Sequence, residues 1–573
     1  MARTLVRALA GFFAAAMLVV LAACSGLPTS GDVRSGLALG TSPDDPDILP
    51  QASGPIDGAG PQRIVEDFIE AAITPTDNWQ VAQSFLTPAF RSLWRPAAGV
   101  LIDEGKESRI YTAPGDDVVT DAADGDTVEI DIAFDQVAVI DETGAYSEAI
   151  GGVTLPFVVE KTDGQWRIAQ APHGIVLDQA RFPRVYDDYP LQYFDQSWTR
   201  LIPDVRWLPR RATIATTITQ SLIEGAPSPW LDPAVQSAFP SDVTLARDAV
   251  PIDSDQVAEV ALSRSAQQLD PVTLARMRTQ LQETLDAAGV QVSQVRFLVD
   301  GRALDAGVVK VEADEADSAT IAMKEGAFGT LAGSTVTAIG DISGEIEGIA
   351  EPIAAVDVAV DDSFAAVHLA DGRVYRAASG QVDELDAAVG LISPSVDVHG
   401  FIWTVPSNAP AQTTAWQDAS TAHQVADAWK GMSAITAMRV SADGVRVAAV
   451  VDDGGQIWVA VAAVIRDDSG APTALGEPRL LAEISTRATD LVWLGPDRLG
   501  VLVEEDGPKF LTQIVGGPGS TEVAPVDAVS LAGASNASSV RVLSSNGSLF
   551  SRSGSAWREI ATGVTLLATR SGH

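Results

Sequence analysis

The stretch Ala437-Met438-Arg439-Val440-Ser441-Ala442-Asp443-Gly444-Val445-Arg446-Val447-Ala448-Ala449-Val450 reads as two β-strands around a tight turn. Its valines suit a pleated surface, and Asp443-Gly444 is the dipeptide that a hairpin turn favours. The same figure recurs in both directions along the chain. His368-Leu369 and Val374-Tyr375 flank Asp371-Gly372, and Val396-Asp397-Val398 leads to Phe401-Ile402-Trp403. Leu491-Val492-Trp493 leads through Pro496-Asp497 to 499–503, and Asn546-Gly547 separates 539–543 from Leu549-Phe550. The repeats start near 354, 395, 434, 488 and 527, a spacing of about 40 to 55 residues that is typical of propeller blades. A pair of β-sandwiches or a β-solenoid would also use short strands, but the period favours the propeller. We therefore expect an all-β propeller of about 5–7 blades over 315–573.

Two units of mixed structure precede it. In 61–190, Val65, Phe68, Ile69 and Ala72 fall on one helical face at spacings i, i+3, i+4 and i+7. Further on, Val128, Ile130, Ile132 and Phe134 alternate with Glu129 and Asp131, and strands at 153–159 and 166–169 meet at Asp163-Gly164. Helices followed by an antiparallel sheet make an α+β domain, similar to the cone-shaped nuclear-transport-factor-like (NTF2-like) fold. In 191–312, Ile214, Ile218 and Leu222 share one helical face. A strand is expected near 257–262. A long helix then starts at Asp270 as N-cap with Pro271 in its first turn, with core face Leu274, Met277, Leu281 and Leu285. A last strand at 292–299 runs into Asp300-Gly301.

The N-terminus carries an address. Arg3 and Arg7 form a basic start, and residues 8–23 are an apolar run that ends in Leu21-Ala22-Ala23-Cys24. This is the layout of a secretory signal, shorter than the roughly 20 residues a membrane span needs. Small residues before a cleavage point and a cysteine just after it resemble the bacterial lipoprotein box. That resemblance implies cleavage of 1–23 and a diacylglyceryl thioether on Cys24, the only cysteine of 573 residues. Two acyl chains suffice for stable anchoring on the extracytoplasmic face of the cell membrane. Residues 24–60, rich in Gly, Pro, Ser and Asp, read as a flexible tether. With a single thiol, no disulfide forms within the chain, and the fold rests on its core.

The formal charge of −38 becomes −40 once Arg3 and Arg7 are removed. Such a surface repels phosphate backbones and anionic lipid headgroups, which excludes nucleic acid as a partner class.

Motifs for chemistry are sparse. The histidines His173, His368, His399, His423 and His573 have no i, i+4 pairing and no thiol partner, so no zinc site is indicated. Gly105-Lys106 continues into Glu107 and lacks the hydroxyl of a phosphate loop, and there is no Gly-x-Ser-x-Gly. Asp121-Ala122-Ala123-Asp124-Gly125-Asp126 has some likeness to a calcium loop, without its alternating ligands or terminal Glu. Trp79, Trp94, Trp198, Trp207 and Trp230 could stack on sugars, although neighbouring Leu and Val favour core positions. The expectation is a non-catalytic protein with no cofactor and no metal.

The order of parts carries one further reading. A lipoprotein box, a tether, an α+β domain, a spore-germination-protein-like (GerMN-like) domain and a C-terminal propeller resemble the actinobacterial lipoprotein LpqB family. The resemblance is carried best by Leu201-Ile202-Pro203-Asp204-Val205-Arg206, Glu224-Gly225-Ala226-Pro227-Ser228 and Val299-Asp300-Gly301. It implies an accessory role, in which the protein binds the extracytoplasmic sensor domain of an MtrB-like histidine kinase and tunes an MtrAB-type two-component system. The alternative is a protein that binds or remodels cell-wall glycan through the propeller mouth or the tryptophans.

Overall fold

The computed structural model describes residues 52–570, apart from 76–78, 114–125, 212, 313–318, 534, 535, 537 and 555. The lipoprotein box with Cys24, most of the Asp121–Asp126 segment and His573 therefore lie outside the described residues.

Helix α1 (Pro61–Ala72) buries Ile64, Val65, Phe68 and Ile69, the stripe that a 3.6-residue period places on one face. Phe68 meets Phe85, Trp94 and Phe157 edge-on at ring separations of 5.1–6.5 Å. The sheet beneath is ordered Gln165–Gln170, Tyr146–Thr162, Thr127–Asp141, Gly99–Asp103, Ile175–Asp178. Asp163 and Gly164, both at positive φ, turn the hairpin between its two first-named strands.

The middle part has two small sheets. Tyr186–Asp195 pairs antiparallel with Leu201–Pro209 along its full length. Val257–Ala261 runs parallel to Gln294–Val299, and the crossover between them is helix α3 (Pro271–Ala287). Asp270 caps that helix, accepting from the amides of Val272 and Thr273. Leu274, Met277, Leu281 and Leu285 are buried. Helix α2 (Ile214–Glu224) buries Ile218 and Leu222 against the same core.

Six blades follow among the described residues, counting the closing one: five have four strands, and the third carries a fifth, Pro472–Leu475, paired with Gln456–Arg466. Their inner strands are Ile353–Val358, Ser395–Val396, Ala434–Val440, Ala488–Trp493, Ala528–Ala532 and Val564–Arg570. Each neighbours the next, and the sixth neighbours the first, so the ring is closed. The strand starts keep step with the sequence repeat. The sequence repeat, however, does not show the sixth blade as a unit. Its inner strand is the chain's last, while its other three, Ile321–Lys324, Ala327–Ala332 and Thr335–Thr337, come before blade 1. A blade split between distant segments leaves no complete repeat to read.

Inner strands are stitched to one another through side chains. Asp357 accepts from the Val396 amide at 2.7 Å, Ser395 from the Val440 amide at 3.0 Å, and Asp490 from the Leu531 amide at 2.9 Å. Trp493 Nε1 donates to the Arg439 carbonyl at 3.1 Å. Arg439 stands between Asp357 and Asp490, whose carboxyls burial pushes upward while the guanidinium pulls them down. In the blade turns an aspartate does similar work. Asp443 is fully enclosed, yet Arg446, Ser441 and the Val445 amide hold it below the ordinary carboxylate range.

Candidate functional site at the domain junction

The strand Leu201–Pro209 carries the most informative sequence landmark, and the fold makes it the meeting line of all three parts. Asp204 is buried and accepts from the Ser228 amide and hydroxyl, both at 2.7 Å, and from Arg206 Nη2 at 2.7 Å. Arg206 also donates to the Ala226 carbonyl at 3.1 Å and to Thr143 Oγ1, in the N-terminal domain, at 2.7 Å. The segments Leu201–Arg206 and Glu224–Ser228 are thus two halves of one buried ion-pair lattice. Gly225 closes helix α2 at a point where a Cβ would lie 2.2 Å from the Ser221 carbonyl oxygen.

One residue further on, Trp207 bridges to the propeller. Its amide donates to the Gly144 carbonyl at 2.8 Å, and its indole Nε1 donates to the Gly516 carbonyl at 2.9 Å. The ring packs on Phe182 at 4.7 Å. A Cβ on Gly517 would come within 2.9 Å of Trp207 Cζ2, so the Gly516-Gly517 turn is shaped to receive the indole. Arg479 of blade 3 donates to the Tyr146 carbonyl, and Arg498 of blade 4 pairs with Asp188 at 3.4 Å. Beneath these contacts one apolar cluster runs unbroken from Tyr193, Leu222 and Leu281 to Val459, Leu491 and Trp493.

A cavity of about 190 Å³ opens beside Trp207, between Trp79, Tyr186, Arg211, Glu142 and Ser221. Arg211 lies over the Trp79 ring at 4.8 Å, and burial lowers its pKa. The mouth of the N-terminal domain between Phe68, Phe157 and His173 is closed down to about 20 Å³, room for roughly one water. A wider cleft of about 400 Å³ borders Arg247, Arg264 and Asp300 on the middle part.

The histidines singled out in the sequence are dispersed. His173 Nδ1 accepts from the Arg95 amide, His368 lies in the second strand of blade 1, His423 meets Phe401 edge-on, and His399 lies in the first turn of blade 2. Among the described residues no group of three or more His, Cys, Asp or Glu is placed to hold a metal ion. Trp79, Trp94, Trp207 and Trp230 are buried, and Arg276 covers Trp198 at 4.0 Å. The tryptophans are therefore packing residues. The docking roles of Trp207, Arg479 and Gly516-Gly517 are absent from the sequence reading. The one local hint is two adjacent glycines followed by Pro518.

Three family models match along the chain: lipoprotein LpqB N-terminal domain over 54–183, sporulation and spore germination over 190–305, and lipoprotein LpqB beta-propeller domain over 326–566. The chain belongs to the LpqB lipoprotein family. Lipoprotein LpqB of Cutibacterium acnes is 26% identical over 618 residues, spanning 96% of this chain and 98% of that protein. Lipoprotein LpqB of Rhodococcus opacus is 26% identical over 534 residues, spanning 86% of this chain and 85% of its own. The first GerMN domain of the sporulation protein GerM from Bacillus subtilis aligns with a TM-score of 0.18 at 18% identity, covering 22% of this chain and 94% of that one. The first family boundary, 183/190, falls before the junction strand Leu201–Pro209, and the second, 305/326, contains the first propeller strand, Ile321–Lys324. Among the described residues no helix is long and apolar enough to cross a membrane.

Proposed function

We propose that the chain is a lipid-anchored, extracytoplasmic binding protein that docks on the sensor domain of an MtrB-like histidine kinase and modulates it. The observation that carries this reading is the junction. The Asp204–Arg206–Ser228 lattice, its Arg206–Thr143 bond to the N-terminal domain and the Trp207–Gly516 bond to the propeller join three parts into one pre-formed platform, and pre-formed platforms present loops to partners at little ordering cost. The relatives' name, lipoprotein, and the Leu21-Ala22-Ala23-Cys24 box support anchoring through Cys24. Sharing a membrane plane with the kinase raises the effective concentration of both.

The test is a titration of the compact unit Ala52–His573 with the soluble sensor domain of the co-resident kinase, at several salt concentrations. Saturable binding at micromolar Kd or tighter is expected. No binding, even with both proteins on one liposome, would overturn the kinase reading and leave the cell-wall glycan reading to be tested with isolated sacculi.

A further inference from the structure

In a blade whose four strands run antiparallel, the first and third turns lie at one end of the ring. The second turn and the crossing to the next blade lie at the other. The end bearing the first and third turns is occupied. Gly516 in a third turn receives Trp207, Arg498 beside a first turn pairs with Asp188, and His399 in a first turn feels Arg200 and Asp195. The opposite end carries a group of exposed apolar side chains at blades 4 and 5. Val523, 77% exposed, ends the outer strand of blade 4, and Val526, 76% exposed, sits in the crossing that follows. Val529 near the start of the next inner strand and Ile560 near the end of the next outer strand are exposed at the same end. Trp557 Nε1 donates to the Val523 carbonyl at 3.1 Å, which ties the outer strand of blade 5 to the last residue of the outer strand of blade 4. Isolated surface valines are ordinary, but several exposed apolar side chains gathered at one end of two neighbouring blades mark a surface suited to interaction.

We infer that this end of the propeller, at blades 4 and 5, is a docking surface for a basic protein surface that brings an apolar anchor. Glu504, Asp506, Asp527 and Glu559 are exposed around the valines. Among the described residues none of the four is ion-paired. The cations beside Val523 are already neutralised: Lys509, its cross-strand partner, pairs with Glu505 at 2.7 Å, and Arg552 pairs with Glu522 at 2.8 Å. On a chain of net charge −38, this rim repels a second copy of the chain and an anionic bilayer alike, and it steers a positively charged partner. An apolar centre inside a charged rim is the usual anatomy of a protein contact. The site deepens the kinase reading by naming the face, and it also stands without that particular partner.

The experiment compares the wild-type unit with a V523D/V526D double variant and with V308D, a change at an exposed valine that lies well before blades 4 and 5 in the chain. All three should melt alike, because the substituted valines are solvated. With the kinase sensor domain as probe, V523D/V526D should weaken binding at least tenfold and V308D should leave it unchanged. Binding of the wild type with equal affinity for V523D/V526D overturns the docking face and leaves the kinase reading intact. Should the sensor domain not bind the wild type, a photo-crosslinking residue is placed at Val526, or at Val308, of the full-length chain in cells. A species crosslinked from 526 alone, and whose purified form binds wild type but not V523D/V526D, supports the face. Crosslinking from both positions or from neither overturns it.

Discussion

Trp207 and Gly516 stand 309 positions apart in the chain, and a 2.9 Å hydrogen bond from the indole Nε1 to the glycine carbonyl joins them in a buried contact. That single bond ties the strand at the centre of the middle part to a blade turn of the propeller. Around it the chain places its most constrained glycine pair and its central ion-pair lattice.

Replacing Trp207 with Phe keeps most of the ring but leaves the Gly516 carbonyl without its donor. A loss of about 1–3 kcal/mol is expected for a buried acceptor left unsatisfied. Gly517→Ala should cost a similar amount, about 1–3 kcal/mol, by forcing a methyl against Trp207 and Ile514. Chemical denaturation followed by tryptophan fluorescence checks both. Unchanged midpoints for both variants would show that the contact contributes nothing.

Asp204 neutralises Arg206 where both are almost fully enclosed, with side-chain exposures of 2% and 4%. Asp204→Ala leaves a buried guanidinium without its acid, which costs roughly 3–5 kcal/mol. Ser228→Ala removes one hydroxyl donor and should cost only about 1 kcal/mol. The two unfolding free energies should keep that order.

Thr569 donates to Asp357 at 2.8 Å across the ring closure, 212 positions away in sequence. Thr569→Val should cost about 1 kcal/mol. Ending the chain before Val564 removes the inner strand of the sixth blade. It strips the hydrogen-bond partner from Ile321–Lys324, exposing a bare strand edge and promoting aggregation. Size-exclusion chromatography of the truncated chain is the measurement.

Glu148 of the N-terminal domain faces Glu483 of blade 3, and burial, then that like charge, raises its pKa, while a backbone hydrogen bond from Glu483 opposes the rise. A carboxyl whose folded pKa lies above its unfolded value binds its proton more tightly when folded. Its ionisation therefore destabilises the fold at neutral pH, and the penalty fades as pH falls below the ordinary glutamate range. Glu148→Gln should be more stable than wild type by roughly 0.5 kcal/mol at pH 7.5, given partial solvent screening, with the difference gone near pH 4. Thermal melts at the two pH values decide it, and an equal gain at both would contradict the charge explanation.

The sequence by itself determined the parts whose cause is local. The strand starts of five blades follow from alternation and turn dipeptides such as Asp443-Gly444. The start of helix α3 follows from Asp270-Pro271, and its buried face from Leu274, Met277, Leu281 and Leu285. The landmark residues Asp204, Arg206 and Ser228 were visible as a motif but not as an ion-pair lattice, since nothing in their spacing says that the two segments meet. Tertiary structure alone decided the ring closure, because the partner of Val564–Arg570 lies more than two hundred residues earlier. It alone decided that Trp207 is a dock for Gly516, because an indole donor satisfies itself wherever a buried carbonyl comes within reach. It also decided which set of blade turns the middle part covers. Strand pattern fixes the blades but not which set of turns another domain covers, and that choice rests on contacts between residues hundreds of positions apart.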